Sequence, residues 1–228
     1  MKTMVIVGAG KLLGMSLARE FGQHDFQIAL VARNENKLSE MKSELEQEGI
    51  KVSYHLADIY HKEHIERVFQ EIYELYGEVD VLEFSPTAGH YPPASVLDLK
   101  ADQAEDSFIG NVLAAIRCVN EVLPIMLKRE TGALLFTTGL SAIYPNSQMA
   151  DSSIAKAGLR SYILNLENEL IRKNIFVGHI SLGIFLKAGT GGLNDPDTVA
   201  RLWYEKYSSN QFGEEVYPKG VTPETVIR

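Results

Sequence analysis

The feature that most constrains this chain is a regular alternation between short, almost wholly apolar runs and longer stretches of helical periodicity. The apolar runs fall at residues 3–7, 26–31, 52–56, 79–84, 133–137 and 176–182, with a shorter one at 215–217. They consist mostly of Val, Ile, Leu and Phe, without the polar-apolar alternation of a strand that has one wet face. Between them, Leu13, Leu17, Ala18 and Phe21 mark one helical face, and Leu38, Met41 and Leu45 mark another behind a capping Asn34. Ile65, Val68, Phe69, Ile72 and Leu75 mark a third, stopped at Gly77. Helices are predicted over 102–128, 153–173 and 197–208 as well. Strands buried on both faces and separated by helices require a parallel sheet with a helical layer on each side. The predicted architecture is a doubly wound α/β fold of Rossmann type, a three-layer αβα sandwich of about seven strands.

Composition narrows what such a fold does. With 228 residues the chain suits one domain at roughly 150 residues per domain. Its 45% hydrophobic and 23% charged content is that of a globular protein. Lys and Arg number 22 against 30 Asp and Glu, a net charge of −8. That balance argues against nucleic acid or an anionic membrane as the main partner. One cysteine, Cys118, forms no internal disulfide and fits a reducing, cytoplasmic setting. The apolar run 4–7 is far too short for a signal peptide or a membrane span.

The first strand runs directly into VIVGAGKLLG and the first helix. Gly8 and Gly10 allow a tight strand-to-helix turn, and Gly14 allows close packing behind it. The helix would then present free N–H groups and its positive dipole end to a phosphate. The second strand ends in Val31-Ala32-Arg33-Asn34, where an acid would favour NAD. Arg33 offers a planar fork for a 2′-phosphate instead, and Lys11 a second charge, so the expected cofactor is NADP(H). His61 and His64 lack a third ligand at metal-site spacing and read as surface or capping residues. No metal is expected.

Taken together, these motifs resemble those of the short-chain dehydrogenase/reductase family over nearly the whole chain. The family's Thr-Gly-x-x-x-Gly-x-Gly matches at Gly8 and Gly14, with Val7 for the Thr, Leu12 for the middle Gly, and Gly10 in addition. The resemblance implies Asp58 beside the adenine ring, Ala88 and Gly89 closing the fourth strand, and Gly183 after the sixth. It implies Asn111, within FIGNVLAA, as the catalytic Asn. SSIAKAGL is similar to the family's Tyr-Ser-Ala-Ser-Lys-Ala-Ala-Leu, which makes Lys156 the residue that binds the nicotinamide ribose. The tyrosine position holds Ser152 and the catalytic serine position holds Gly139. Thr138, Ser141, Tyr144 and Asp151 are the nearby groups that could substitute.

The family also implies that residues 187–212, a loop and short helix, cover the substrate. Tyr204, Tyr207 and Phe212 would then line either an apolar pocket or the core. It implies a dimer or tetramer built on the two long central helices. Two functions follow. One is an NADP(H)-dependent oxidoreductase with a degenerate catalytic site, acting on a small carbonyl compound or alcohol. The other is a catalytically silent NADP(H)-binding protein, serving as a redox sensor or partner scaffold.

Overall fold

A computed structural model describes residues 1–87 and 89–226. Seven strands form one sheet: β1 Lys2–Val7, β2 Phe26–Ala32, β3 Val52–Leu56, β4 Val81–Phe84, β5 Gly132–Gly139, β6 Ile175–Leu182 and β7 Glu214–Tyr217. Their order is β3-β2-β1-β4-β5-β6-β7, and every pairing is parallel. The order reverses between β1 and β4, which opens a crevice above the carboxyl ends of those strands.

Helices α1 Leu13–Gly22, α2 Glu35–Gln47 and α7 Pro196–Ser208 cover one face. On the other lie α3 Lys62–Tyr76, α4 Ala101–Phe108, α5 Ala114–Arg129 and α6 Ala150–Leu170. Side chains divide by strand parity: Val5, Val7, Leu82, Phe84, Leu134 and Phe136 face the second group. Met4, Ile6, Val81, Ala133 and Leu135 face the first. The caps follow the sequence reading. Asn34 accepts a hydrogen bond from the Lys37 N–H at 3.0 Å, and Gly77 ends α3 at φ +82.

Several expectations need correction. The long helix read over 102–128 is interrupted by a π-turn at Ile109–Leu113. As one helical segment, Ala101–Arg129 is long and apolar enough to cross a bilayer, yet Val112, Val119, Val122 and Met126 are buried against the sheet. Leu75 is 57% exposed, although Tyr73 and Tyr76 beside it in the last turn of α3 pack on the core. The helix expected to cover a substrate, α7, packs into the core. Val199, Ala200 and Trp203 of α7 are buried, and Ser16 of α1 donates to Asp197 at 2.5 Å. Tyr204 and Tyr207 pack on Phe21, and Tyr207 also on Phe26 at the start of β2, the end of the sheet opposite the crevice. Phe212 packs on Phe176. Of residues 187–212, only the stretch ahead of Pro196 is left to cover a substrate.

Candidate active site

Gly8 turns the chain out of β1 at φ +89, a region that L side chains rarely adopt. A Cβ there would lie 2.4 Å from the Pro86 Cα, so glycine is demanded twice over. The Gly8 and Ala9 N–H groups both donate to the Val31 carbonyl, at 2.9 and 3.1 Å. Gly14 sits against Ala9, whose Cα would be 3.0 Å from an added Cβ. Gly10 differs from expectation, since a Cβ there would meet only the Gly8 carbonyl at 3.9 Å and the loop itself does not require it. Leu12 stands exposed at the N-cap of α1, and no side chain caps that helix. The Met15 N–H donates to the Gly10 carbonyl at 2.9 Å, which leaves the N–H groups of Leu13 and Gly14 as the first-turn donors a phosphate can use.

Both cations read for the 2′-phosphate lie near this turn, and both already have neighbours. Lys11 pairs with Glu40 of α2, which raises the lysine's pKa. Arg33 approaches the His90 Nε2 at 3.4 Å. His90 in turn contacts Asp106 of α4, Nδ1 to Oδ1 at 2.7 Å, and its backbone N–H donates to Oδ2 at 2.8 Å. The Tyr60 ring lies 4.2 Å from the His90 ring, and burial followed by the Asp106 charge pushes its phenol up to about 12. Sequence reading missed this Arg33–His90–Asp106 chain, because contacts across a sheet leave no local pattern. Asp58 accepts from the Tyr60 N–H at 3.1 Å, which gives it a turn-capping role in the protein alone. Gly89 has φ +133. Ala88 lies outside the described residues.

The chemical end lies above β5 and β6. Asn111 is buried on the π-turn, where its Nδ2 donates to the Ser107 carbonyl at 2.8 Å. Wide turns of this kind often occur at functional sites. Lys156 and Ser152 are one helical turn apart near the start of α6, on the same side of the helix. The Lys156 side chain points to the end of β5: a Cβ on Gly139 would be 3.3 Å from its Nζ, 3.8 Å from the Ser141 Oγ and 3.8 Å from the Leu182 carbonyl. Burial lowers the Lys156 pKa, opposed by the charge of Asp151. Asp151 also accepts from the Ala94 N–H at 3.2 Å. Gly183 follows β6, where an added Cβ would lie 2.5 Å from the Val221 side chain; packing alone explains this glycine.

The other candidate groups separate. Tyr144 is 44% exposed. Thr138 is buried and turned away, its Oγ1 contacting the His179 Nε2 at 2.8 Å and the Ser181 Oγ at 2.9 Å. Ser181 donates to Glu214 at 2.8 Å, and Arg160 donates to the same carboxylate at 2.8 Å. Burial lowers His179 to about 4, although Glu214 opposes the shift. On the opposite face of β4, Glu83 is fully buried and accepts from the Ser85 Oγ at 2.9 Å and the Thr137 Oγ1 at 3.1 Å. Trp203 donates to Thr137 at 3.0 Å. Burial pushes the Glu83 carboxyl up to about 8. Among the described residues no cluster of His, Cys, Asp and Glu could hold a metal, and Cys118 is a buried core thiol.

A parallel sheet with a glycine turn at its switch point defines a nucleotide-binding α/β protein. The chain belongs to the short-chain dehydrogenase family, a family of oxidoreductases, whose profile matches residues 2–196. It is 27% identical over 183 residues to an uncharacterized oxidoreductase of Staphylococcus epidermidis, covering 80% of this chain and 77% of that protein. Its fold is shared with a putative oxidoreductase from Escherichia coli at TM-score 0.86 and 18% identity, covering 99% of both chains. The L-sorbose reductase of Gluconobacter frateurii, solved with NADPH and L-sorbose, superposes at TM-score 0.85 with 21% identity, covering 98% of this chain and 97% of that one.

Proposed function

We propose that this protein is an NADP(H)-dependent oxidoreductase that interconverts a small carbonyl compound and its alcohol, using a catalytic set altered from that of its family. The observation that carries the reading is the placement of Lys156, whose ammonium sits at the carboxyl end of β5 beside the space left by Gly139. The residues present fit the cofactor: Gly8 and the uncapped start of α1 suit a pyrophosphate, and Gly10 leaves room for one. Lys11 and Arg33 suit a 2′-phosphate, Asp58 and Gly89 would flank the adenosine, and Lys156, on the helix against which the Asn111 segment packs, suits the nicotinamide ribose.

When bound, the nicotinamide supplies or accepts hydride. Lys156 holds a positive charge where a carbonyl oxygen becomes negative, which favours reduction electrostatically. Asn111 fixes the shape of the π-turn through Ser107. The apolar stretch around Phe185 and Leu193, both exposed, can close over a substrate and exclude water. We also propose a homo-oligomer through α4–α5 and α6, supported by exposed Phe108 and Ile154 on those helices; sedimentation equilibrium tests it.

One observation favours a second reading, a silent NADP(H)-binding protein: neither Ser152 nor Gly139 brings a phenol or an activated hydroxyl. Calorimetric titration with NADPH and NADH, followed by NADPH oxidation with a panel of carbonyl compounds, decides between them. Tight NADPH binding with substrate-dependent oxidation supports the oxidoreductase, while binding with no turnover supports the silent protein. No binding of either nucleotide refutes both.

A further inference from the structure

We infer that Lys156 is itself the proton donor of this site, in place of the tyrosine that Ser152 has displaced. This rests on the oxidoreductase reading above. The argument starts from Gly139, where the absent side chain leaves a space at the end of β5. That space is ringed by the Lys156 Nζ at 3.3 Å, the Ser141 Oγ at 3.8 Å and the Leu182 carbonyl oxygen at 3.8 Å from the Cβ position. An ammonium, a hydroxyl and a carbonyl thus converge on a spot that a serine would fill. A substrate oxygen placed there has the ammonium as its acidic neighbour.

The alternatives are poorer donors. Ser152 is an aliphatic alcohol, far less acidic than an ammonium. Ser141 shares that limit and suits orientation of the carbonyl. Tyr144 is 44% exposed, and Thr138 is committed to His179 and Ser181. Burial weakens the hold of Lys156 on its proton, opposed by the charge of Asp151, and a donor of lowered pKa is what general acid catalysis favours. The charged group bearing on it is Asp151 of its own helix. Gly139 of β5, Ser141 of the following turn and Leu182 of β6 face it with neutral atoms. Asn111, on the segment packed against α6, is neutral too.

The step balances as follows. Hydride from reduced nicotinamide forms the new C–H bond at the carbonyl carbon, and the C=O π pair moves onto oxygen. The Lys156 N–H bond breaks as the O–H bond forms, giving the alcohol, oxidised nicotinamide and a neutral amine. Water then returns a proton to the amine.

The test uses the full chain and two kinds of readout. First, the ¹³Cε resonance of Lys156 is titrated in the cofactor-free protein and assigned by its loss in Lys156→Gln. The expected inflection lies below the ordinary lysine value of 10.5. Second, single-turnover reduction of benzaldehyde, cyclohexanone and 2,3-butanedione is followed against pH for wild type and Lys156→Arg. Arginine keeps the charge for cofactor binding but does not release a proton in this range.

The wild-type rate is expected to fall as pH rises through the measured inflection. Lys156→Arg is expected to lose about 10²- to 10⁴-fold in single-turnover rate at saturating NADPH. Gly139→Ser, whose Cβ crowds Nζ, is expected to slow the reaction, whereas it would speed one that merely lacked the family serine. An ordinary inflection, a pH-independent wild-type rate, or Lys156→Arg turning over within tenfold of wild type overturns this inference alone. NADPH binding with no wild-type turnover on any carbonyl overturns the oxidoreductase reading, and this inference with it.

Discussion

Replacing Glu83 by Gln tests how the centre of this sheet tolerates an acid. Glu83 sits at full burial on β4, between Ile6 of β1 and Leu135 of β5 in the strand register. Its partners are two hydroxyls, so no cation offsets the loss of water around its charged form. Burial raises the carboxyl from 4.5 to about 8. The unfolded chain therefore releases this proton near pH 4.5, while the folded chain keeps it until about pH 8. Across that window the folded state binds more protons than the unfolded one, so stability falls as pH rises and then levels off. At about 1.36 kcal/mol per pH unit, the full difference is about 5 kcal/mol. Relaxation of the surroundings would reduce it, and about 2 kcal/mol is a conservative lower figure.

Gln keeps the shape and hydrogen-bonding groups but has no proton to lose. Guanidinium unfolding at pH 4.5, 6.5 and 8.5 is the assay. The two proteins are expected to have similar stability at pH 4.5, with Glu83→Gln ahead by about 2–5 kcal/mol at pH 8.5. For a domain of this size that corresponds to a melting temperature about 4–20 °C higher. All other titrating groups are common to both proteins and cancel in the difference. Parallel stability curves across the whole range would show that Glu83 is ionised in the fold, and the reasoning would be wrong.

The mirror case is His179, held neutral by burial at about 4 against an ordinary 6.5. The unfolded chain binds its proton first, so stability should drop as pH falls through that window, and His179→Gln should flatten the drop in the same denaturation series. Gly8→Ala places a Cβ 2.4 Å from the Pro86 Cα at φ +89; it is expected to cost at least about 2 kcal/mol and to abolish NADPH binding by calorimetry. Glu40→Gln releases Lys11, and NADPH affinity should rise several-fold, more at low salt than at high salt; no change in affinity would remove Lys11 from the cofactor site.

The fold was legible because burial on both faces leaves a direct trace. The 52–56 run is β3 to the residue, and Asn34 and Gly77 cap as their chemistry predicts. Leu75 misled because it lies at the edge of the apolar stripe, and Tyr76 packs on the core in that turn instead. For Tyr204 and Tyr207 the sequence left pocket and core open, and the structure packs both on the core against Phe21. The glycine turn between β1 and α1 was visible as a local motif, since one strand-to-helix junction contains all of it. Contacts assembled from distant segments, such as Arg33 with His90 or Lys156 with the space at Gly139, have no local signature. Glu83 could have been noticed, as a single acid inside the four-residue apolar strand VLEF.

The π-turn at Ile109–Leu113 carries one more residue per turn than the helices it joins. That surplus changes the rotational phase of everything after it. It lets α4 direct its buried side towards α6, while α5 directs its own towards α3 and the sheet. Winding this stretch as a uniform α-helix with the same number of residues would rotate one half by about 100° relative to the other. Asn111 would leave its inward position, or one of the two packed faces would turn to water. A one-residue deletion within the turn, which closes it to a plain helix with both faces still packed, should therefore be tolerated far better than one in the middle of α5.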